Sequence, residues 1–234
     1  MTLPAITTRD EWLAARKELL EREKEMTRQR DALNADRRRL PMVEITKSYV
    51  FHGPQGEARL VDLFEGRRQL IVSHFMFDPS WDDGCSSCTA GADEVNDGLL
   101  RHLHVRDTTL AYVSRAPLEK LERWKAVRGW TFPWYSSDGS DFNYDFGVTL
   151  DKSKGFSEYN YREIDGEGEF PGASYFVRDG ERVFHTYSNY ARGAEMTGGS
   201  FYWLDLTALG RQEEWEEPKG RADFARSATP DFSE

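Results

Sequence analysis

Cysteine is scarce in this chain. Two cysteines among 234 residues cannot staple a secreted scaffold, and a reducing compartment would not keep them as a structural bridge. Long apolar runs are missing as well: no window approaches the ~18 uninterrupted apolar residues that a membrane span needs. The N-terminal MTLPAITTRDEW has neither a basic start nor the apolar stretch of a leader. No membrane partner and a cytoplasmic location are therefore expected. Positive charge is in deficit, with 31 Lys and Arg against 41 Asp and Glu for a net −10. That balance disfavours a nucleic-acid partner, because phosphate binding needs a clustered basic face. Gly-x-Gly-x-x-Gly does not occur, so no nicotinamide or flavin cofactor is expected. A second Cys pair is absent too. His74 or His185 could join the two cysteines as a third ligand, but nothing completes a tetrahedral site, and no metal is expected.

Apolar and aromatic residues are plentiful. Hydrophobic residues make up 38% of the chain, with 7 Trp, 10 Tyr and 14 Phe, enough for one self-sufficient core in a chain of this length. The first element predicted is a helix over residues 8–40, opened by a capping box between Thr8 and Glu11 and stopped before Pro41. Trp12, Leu19, Met26, Leu33 and Leu40 recur every seven residues along it, flanked by Glu, Lys and Arg. A row this narrow could lie across its own domain or pair with a partner subunit, and on the second reading a homodimer through the helix is expected. Residues 1–41 thus form a helical arm with a net +2, leaving −12 on the remainder.

Strand periodicity follows. A hairpin is predicted around Gly53-Pro54-Gln55-Gly56, then a doubly buried strand over residues 69–77. A turn-rich loop leads into a helix over 85–104, a strand over 109–113 and a helix over 117–128 ended by Gly129. A short strand over 132–135, a helical turn over 142–148 and a Gly-rich polar excursion over 151–170 come next. The hairpin of strands 173–178 and 182–187 turns at Asp179-Gly180, and a last helix is placed over 201–206. Alternation of strand and helix implies a parallel sheet closed by an antiparallel hairpin. Residues 42–215 are read as one α/β domain and 216–234 as an acidic, loosely ordered tail.

The chemistry concentrates in Cys85-Ser86-Ser87-Cys88. A Cys at a helix start faces free amides and the positive end of the dipole, which favours the thiolate, and a second Cys one turn on can resolve a mixed disulfide. Asp82 and Asp83 oppose this, so only modest activation of Cys85 is expected. Further candidates are Trp81 and Trp134 as apolar contacts for substrate, and Arg115 and Arg192 as anchors for an anionic group. His185, with Tyr187, is a candidate to shuttle protons at the same site. The aromatic stretch of Trp130, Phe132, Trp134, Tyr135, Phe142, Tyr144 and Phe146 reads first as core and second as the wall of a pocket.

The element order resembles the thioredoxin fold. Phe75-x-Phe77-x-Pro79, Ser114-Arg115-Ala116-Pro117 with Trp124, and Phe132-Pro133 with Ser137-Asp138 resemble its peroxiredoxin-like branch. Over residues 10–215 the chain resembles the DUF899 family of thioredoxin-like proteins. The blocks are Trp12-x-x-Ala15-Arg16, Arg38-Arg39-Leu40-Pro41, His74-Phe75-Met76-Phe77, Gly129-Trp130, Asp141-Phe142-Asn143-x-Asp145-Phe146, His185-Thr186-Tyr187 and Ala191-Arg192-Gly193. The resemblance implies a mixed sheet flanked by helices, with a long N-terminal helix added. Where peroxiredoxins resembling this chain place a Thr three residues before the attacking Cys, Asp82 stands, which demotes peroxide reduction. The thioredoxin cis-Pro position falls near Pro171, one or more residues early, so that Ala173 or Ser174 is expected to face the dithiol and contact substrate.

The expected activity is thiol–disulfide exchange on a disulfide-containing or oxidised substrate. Cys85 is the nucleophile, Cys88 the resolving thiol, and an external reductase returns the electrons. A peroxiredoxin-like peroxidase and a non-enzymatic binding module are the alternatives.

Overall fold

The structure is a computed structural model that describes residues 3–197, 199–208, 213–217 and 219. Of the tail read as loosely ordered over residues 216–234, all but 216, 217 and 219 lie outside the described residues. The chain divides into two compact units. One comprises residues up to 41 and the described residues from 203 on; the other is residues 42–202.

In the first unit, helix α1 (Arg9–Arg37) starts as its sequence dictates. The Thr8 hydroxyl accepts from the Glu11 amide at 3.3 Å, and the Glu11 carboxylate accepts from the Thr8 amide at 3.1 Å. These bonds and the neighbouring Thr7 and Thr8 hydroxyls hold the Glu11 carboxyl down at about 2. No residue of α1 is buried, and Trp12, Leu19, Met26 and Leu33 of the seven-residue row are all exposed. Leu40, the fifth member, falls beyond the helix end.

The second unit is built on an eight-stranded sheet. Its strands are β1 (Val43–Glu44), β2 (Val50–Gly53), β3 (Gly56–Arg59), β4 (Gln69–His74), β5 (Thr108–Ser114), β6 (Trp134–Ser136), β11 (Gly172–Asp179) and β12 (Arg182–Tyr190). Four more short strands, β7 (Thr149–Leu150), β8 (Glu158–Tyr159), β9 (Arg162–Glu163) and β10 (Gly168–Glu169), fill the polar excursion, where β7 pairs with β10 and β8 with β9. The main sheet runs β1-β12-β11-β4-β5-β6-β2-β3. β4, β5 and β6 are parallel, and β11 lies antiparallel to both β4 and β12. A parallel pair joined by a helical crossover, with an antiparallel hairpin beside its first strand, is the thioredoxin-like arrangement that the sequence implied.

The helices are α2 (Ser86–Asp93), α3 (Asp97–His104), α4 (Leu118–Arg128), α5 (Phe142–Asp145) and α6 (Gly199–Leu204). The sequence predicted one helix over 85–104; two are found. Asn96 adopts extended backbone, and its side chain accepts from the Leu99 amide at 3.1 Å, which caps α3 and breaks the run. Gly129 ends α4 with φ +70.

Strand alternation gives the sheet two differently packed faces. Leu70, Val72, Phe51, Val113 and Phe176 meet Phe142 of α5 on one face. Phe75, Leu110 and Tyr112 meet Ala92, Leu100 and Leu121 of α2, α3 and α4 on the other. The register of the C-terminal hairpin shifts between Tyr175 and Phe176. Tyr175 pairs with Tyr187 and Phe176 with His185, so Thr186 is the extra residue, and its hydroxyl bonds the Tyr175 carbonyl at 3.0 Å. Cross-strand partners share a face, so this bulge puts His185 and Tyr187 on opposite faces. Among the described residues no helix is long and apolar enough to cross a membrane.

Candidate functional site

Cys85 occupies the N-cap of α2, directly after the loop that follows β4. The loop is pinned from several sides. The Cys85 amide bonds the Met76 carbonyl at 3.0 Å. Lys120 of α4 bonds the carbonyls of Pro79 and Trp81 at 2.9 and 2.6 Å, and Arg123 that of Asp82 at 2.7 Å. Gly84 gives the loop its close approach to the core, since a Cβ there would lie 2.7 Å from a ring carbon of Phe75.

Both cysteines are free and half-buried. The Cys85 sulfur is hydrogen-bonded by the Cys88 thiol and by the amides of Cys88 and Ser87, and these lower its pKa from 9.0 to about 6 against the opposing effect of burial. The same hydrogen bond, together with burial, pushes Cys88 upward. Cys85 is thus the more acidic thiol of the pair and Cys88 the less acidic one. The fall at Cys85 exceeds the modest one expected from the sequence, which weighed the helix dipole against Asp82 and Asp83 and left out the Cys88 thiol.

A cavity of about 530 Å³ opens beside the pair, on the α2 and α3 side of the sheet. Ser87, Cys88, Gly91 and Val95 line one wall, Ile71, Tyr112 and Tyr175 the sheet side, and Leu99 and Leu103 the α3 side. Pro171 and Ala173 also face it, which puts the start of β11 opposite the dithiol. The sequence signal for this wall was present in the i, i+3, i+7 spacing of Cys88, Gly91 and Val95, a single helix face. Thr89 went unnoticed too: it is buried, and it holds the Cys85 carbonyl through its amide and hydroxyl, each at 2.9 Å.

Several candidates lie elsewhere. Ser174 is fully buried on the opposite face, where its hydroxyl lies 2.9 Å from both His74 Nε2 and Ser188 Oγ. It does not line the cavity, because its partner Val72 belongs to the other layer. The bulge at Thr186 carries His185 to that same face. There its Nε2 lies 2.8 Å from Ser188 Oγ, and its ring borders a second cavity of about 600 Å³ with Tyr49, Phe146 and Tyr161. Trp134 is fully buried in the aromatic core and donates to Ser114 Oγ at 3.0 Å. Trp130 and Phe132 join that same layer, whereas Tyr135, Phe142 and Phe146 pack on the opposite one. Of the aromatic stretch only Tyr144 and Phe146 border a cavity described here, the second one. Arg115 is engaged by Glu169 at 2.7 Å and Asp78 at 3.3 Å, with Tyr144 5.0 Å away under its guanidinium. It clamps the Cys85 loop to β10 and is not free to anchor an anion. Burial outweighs this pairing at Glu169 and raises its pKa. Trp81 is exposed in the loop before Cys85. Arg192 is exposed and pairs with Glu195 at 3.1 Å, beside the cavity that Glu195 borders. Among the described residues no group of three or more His, Cys, Asp and Glu could hold a metal ion.

Comparison with solved structures returns peroxiredoxin Q from Xanthomonas campestris, 14% identical over 68% of this chain and 90% of that one, with a TM-score of 0.43. PrxQ from Xylella fastidiosa is 15% identical over 70% of this chain and 94% of that one, with a TM-score of 0.45. Peroxidoxin BcpB from Mycobacterium tuberculosis is 16% identical over 70% and 97%, also at 0.45. A search of curated proteins returns no match. The family described as "Bacterial protein of unknown function (DUF899)" matches residues 1–228. The match spans the helical arm, the thioredoxin-like body and the dithiol alike, and the chain belongs to the DUF899 family.

Proposed function

We propose that this chain is a thiol–disulfide oxidoreductase. The observation that carries the reading is the asymmetric pair at the start of α2: a Cys85 thiolate stabilised by two amides and by the thiol of Cys88. In the forward step the Cys85 thiolate attacks a substrate disulfide, forming a mixed disulfide and releasing one substrate sulfur as thiolate. Cys88 then gives its proton to a departing thiolate and attacks the Cys85 sulfur. The substrate leaves fully reduced, and Cys85 and Cys88 are joined by a disulfide. Two electrons from an external dithiol reductase restore the pair. No cofactor in this chain is needed for the exchange, and a reducing compartment such as the cytoplasm suits it. The exposed seven-residue row of α1 fits a homodimer.

Thiol counting and trapping test the reading. Mild disulfide oxidant should consume both thiols of the folded protein at once, Cys88→Ser should accumulate a mixed disulfide on Cys85, and Cys85→Ser should trap none. Two thiols surviving the oxidant would overturn it. So would oxidation of Cys85 by hydrogen peroxide far faster than by any disulfide, which would favour a peroxidase.

A further inference from the structure

Gly91 is the residue that packing leaves unaccounted for. It sits inside α2, where glycine costs about 1 kcal/mol relative to alanine. Its backbone is not among those with positive φ, so no conformational need explains it. A Cβ built there would meet no atom within 4 Å, so no crowding explains it either. It lies one turn beyond Cys88 on the same helix face and borders the same cavity. The absent side chain therefore keeps open the wall next to the resolving sulfur.

The rest of that wall defines what could enter. Ile71, Val95, Leu99, Leu103 and Leu110 make it aliphatic, and among the described residues Glu195, at the rim and paired with Arg192, is the only Asp, Glu, Lys or Arg bordering it. Among the described residues no Lys or Arg borders it to receive a carboxylate or phosphate. A volume of about 530 Å³ lies within the range of small-molecule sites, roughly 300 to 1,000 Å³. α3 leaves Leu99 exposed at the mouth, where an apolar chain would cover it.

We propose, resting on the oxidoreductase reading above, that the substrate is a small uncharged disulfide carrying an unbranched apolar chain. The chain occupies the cavity and brings the sulfur–sulfur bond alongside Cys85 and Cys88. The electron balance is that of the exchange itself: the disulfide RSSR gains two electrons and two protons to give two RSH, and the protein dithiol becomes the Cys85–Cys88 disulfide.

Single-turnover oxidation of the reduced full chain tests this with a series of symmetrical disulfides: bis(2-hydroxyethyl), dibutyl and dihexyl disulfide, with glutathione disulfide as the anionic member. Loss of thiols is read by mass spectrometry after rapid alkylation. The rate should climb at least tenfold from the hydroxyethyl to the hexyl compound, and glutathione disulfide should be the slowest. Gly91→Leu should fill the cavity and improve the helix. It should abolish the gain with chain length, and the melting temperature should stay unchanged or rise. Leu99→Asp, at an exposed position, is the second variant and should cut the hexyl rate by more than the hydroxyethyl rate. Equal rates across the series, or a Gly91→Leu protein that still prefers the hexyl compound, would overturn the substrate assignment with the oxidoreductase reading intact. A dithiol inert to every member would overturn the oxidoreductase reading itself.

Discussion

The carbonyl oxygen of Cys85 is held by Thr89 twice over, through the Thr89 amide and the Thr89 hydroxyl, each at 2.9 Å. The Thr89 hydroxyl in turn accepts from the Trp124 indole at 3.3 Å. The Cys85 backbone is therefore fixed to α4 by a chain of hydrogen bonds, while its sulfur is left to Cys88 and the amide of Ser87.

Alkylation of the reduced protein should follow that geometry. Cys85 should react with iodoacetamide along a titration centred near the value of about 6 to which its pKa is lowered, and Cys88, shifted upward, should stay unmodified across neutral pH. The largest cause of the Cys85 shift is the Cys88 thiol, so Cys88→Ala should move the Cys85 titration toward that of a free thiol. Cys88→Ser keeps a donor and should move it less. Faster modification of Cys88, or a Cys85 titration unmoved by Cys88→Ala, would contradict this account. Peptide mapping after timed alkylation at each pH is the measurement.

Gly84→Ala should act on both stability and the thiol. The new Cβ would lie 2.7 Å from Phe75 Cε1 and 3.3 Å from Trp124 Nε1. Phe75 is wedged against Trp134, 4.7 Å between ring centroids, and cannot give way cheaply. Overpacking of this kind costs about 1–3 kcal/mol, and displacement of Trp124 loosens Thr89 and the Cys85 carbonyl. Urea unfolding should register the loss and alkylation should slow at pH 7. Gly91→Ala, with open space at its Cβ, should be neutral or gain up to about 1 kcal/mol.

The exposed row on α1 predicts a specific assembly. A strict seven-residue repeat drifts about 20° per heptad around a straight α-helix, and it stays in line only when two helices supercoil. Light scattering should give the mass of two chains. Leu19→Glu, Met26→Glu and Leu33→Glu together should give one chain with unchanged helix content, since all three positions are exposed. A wild-type monomer at high concentration would end the homodimer assignment.

How much of this was legible in the sequence follows from range. Local signals identified α1 through Thr8 and Glu11, the end of α4 through Gly129, and β4 through Leu70, Ile71 and Val72, although the strand expected over 69–77 ends at His74. They also located the cysteine pair at the start of α2, because a C-x-x-C beside a strand is itself a local pattern. Asn96 was readable as a cap but was overlooked inside an apparently continuous helix. The placements that went astray are non-local. Ser174 is placed at the dithiol by its nearness to the thioredoxin cis-Pro position and His185 by strand alternation with Tyr187, and one extra residue, Thr186, reverses the face on which His185 lies relative to Tyr187. Arg115 looked available because its partner Glu169 is 54 residues away, and no spacing rule reaches that far.

His74 makes the folded chain sensitive to acid. It is buried, 3% exposed, with its Nε2 2.9 Å from Ser174 Oγ, and its Nδ1 meets no hydrogen-bond partner. Phe142 and Phe146 flank the imidazole at 5.6 and 6.2 Å between ring centroids. Burial first, and the charge of His185 second, lower its pKa from 6.5 to about 3. The folded chain thus keeps this ring neutral over a range in which the unfolded chain protonates it. Stability rises with pH wherever the unfolded state binds more protons, so the contribution of His74 is fully present above pH 6.5 and is lost progressively as pH falls toward 3. At 1.36 kcal/mol per unit, the loss by pH 5 is about 2 kcal/mol. His74→Gln keeps a polar group within reach of Ser174 and cannot titrate. Urea unfolding at pH 7, 6 and 5 should show wild type losing about 2 kcal/mol more than the variant between the two ends. His185, also lowered by burial, remains in both proteins and cancels to first order. Parallel stability curves for the two would show that the ring is protonated in the folded state and that the layer of Phe142 and Phe146 is not closed around it.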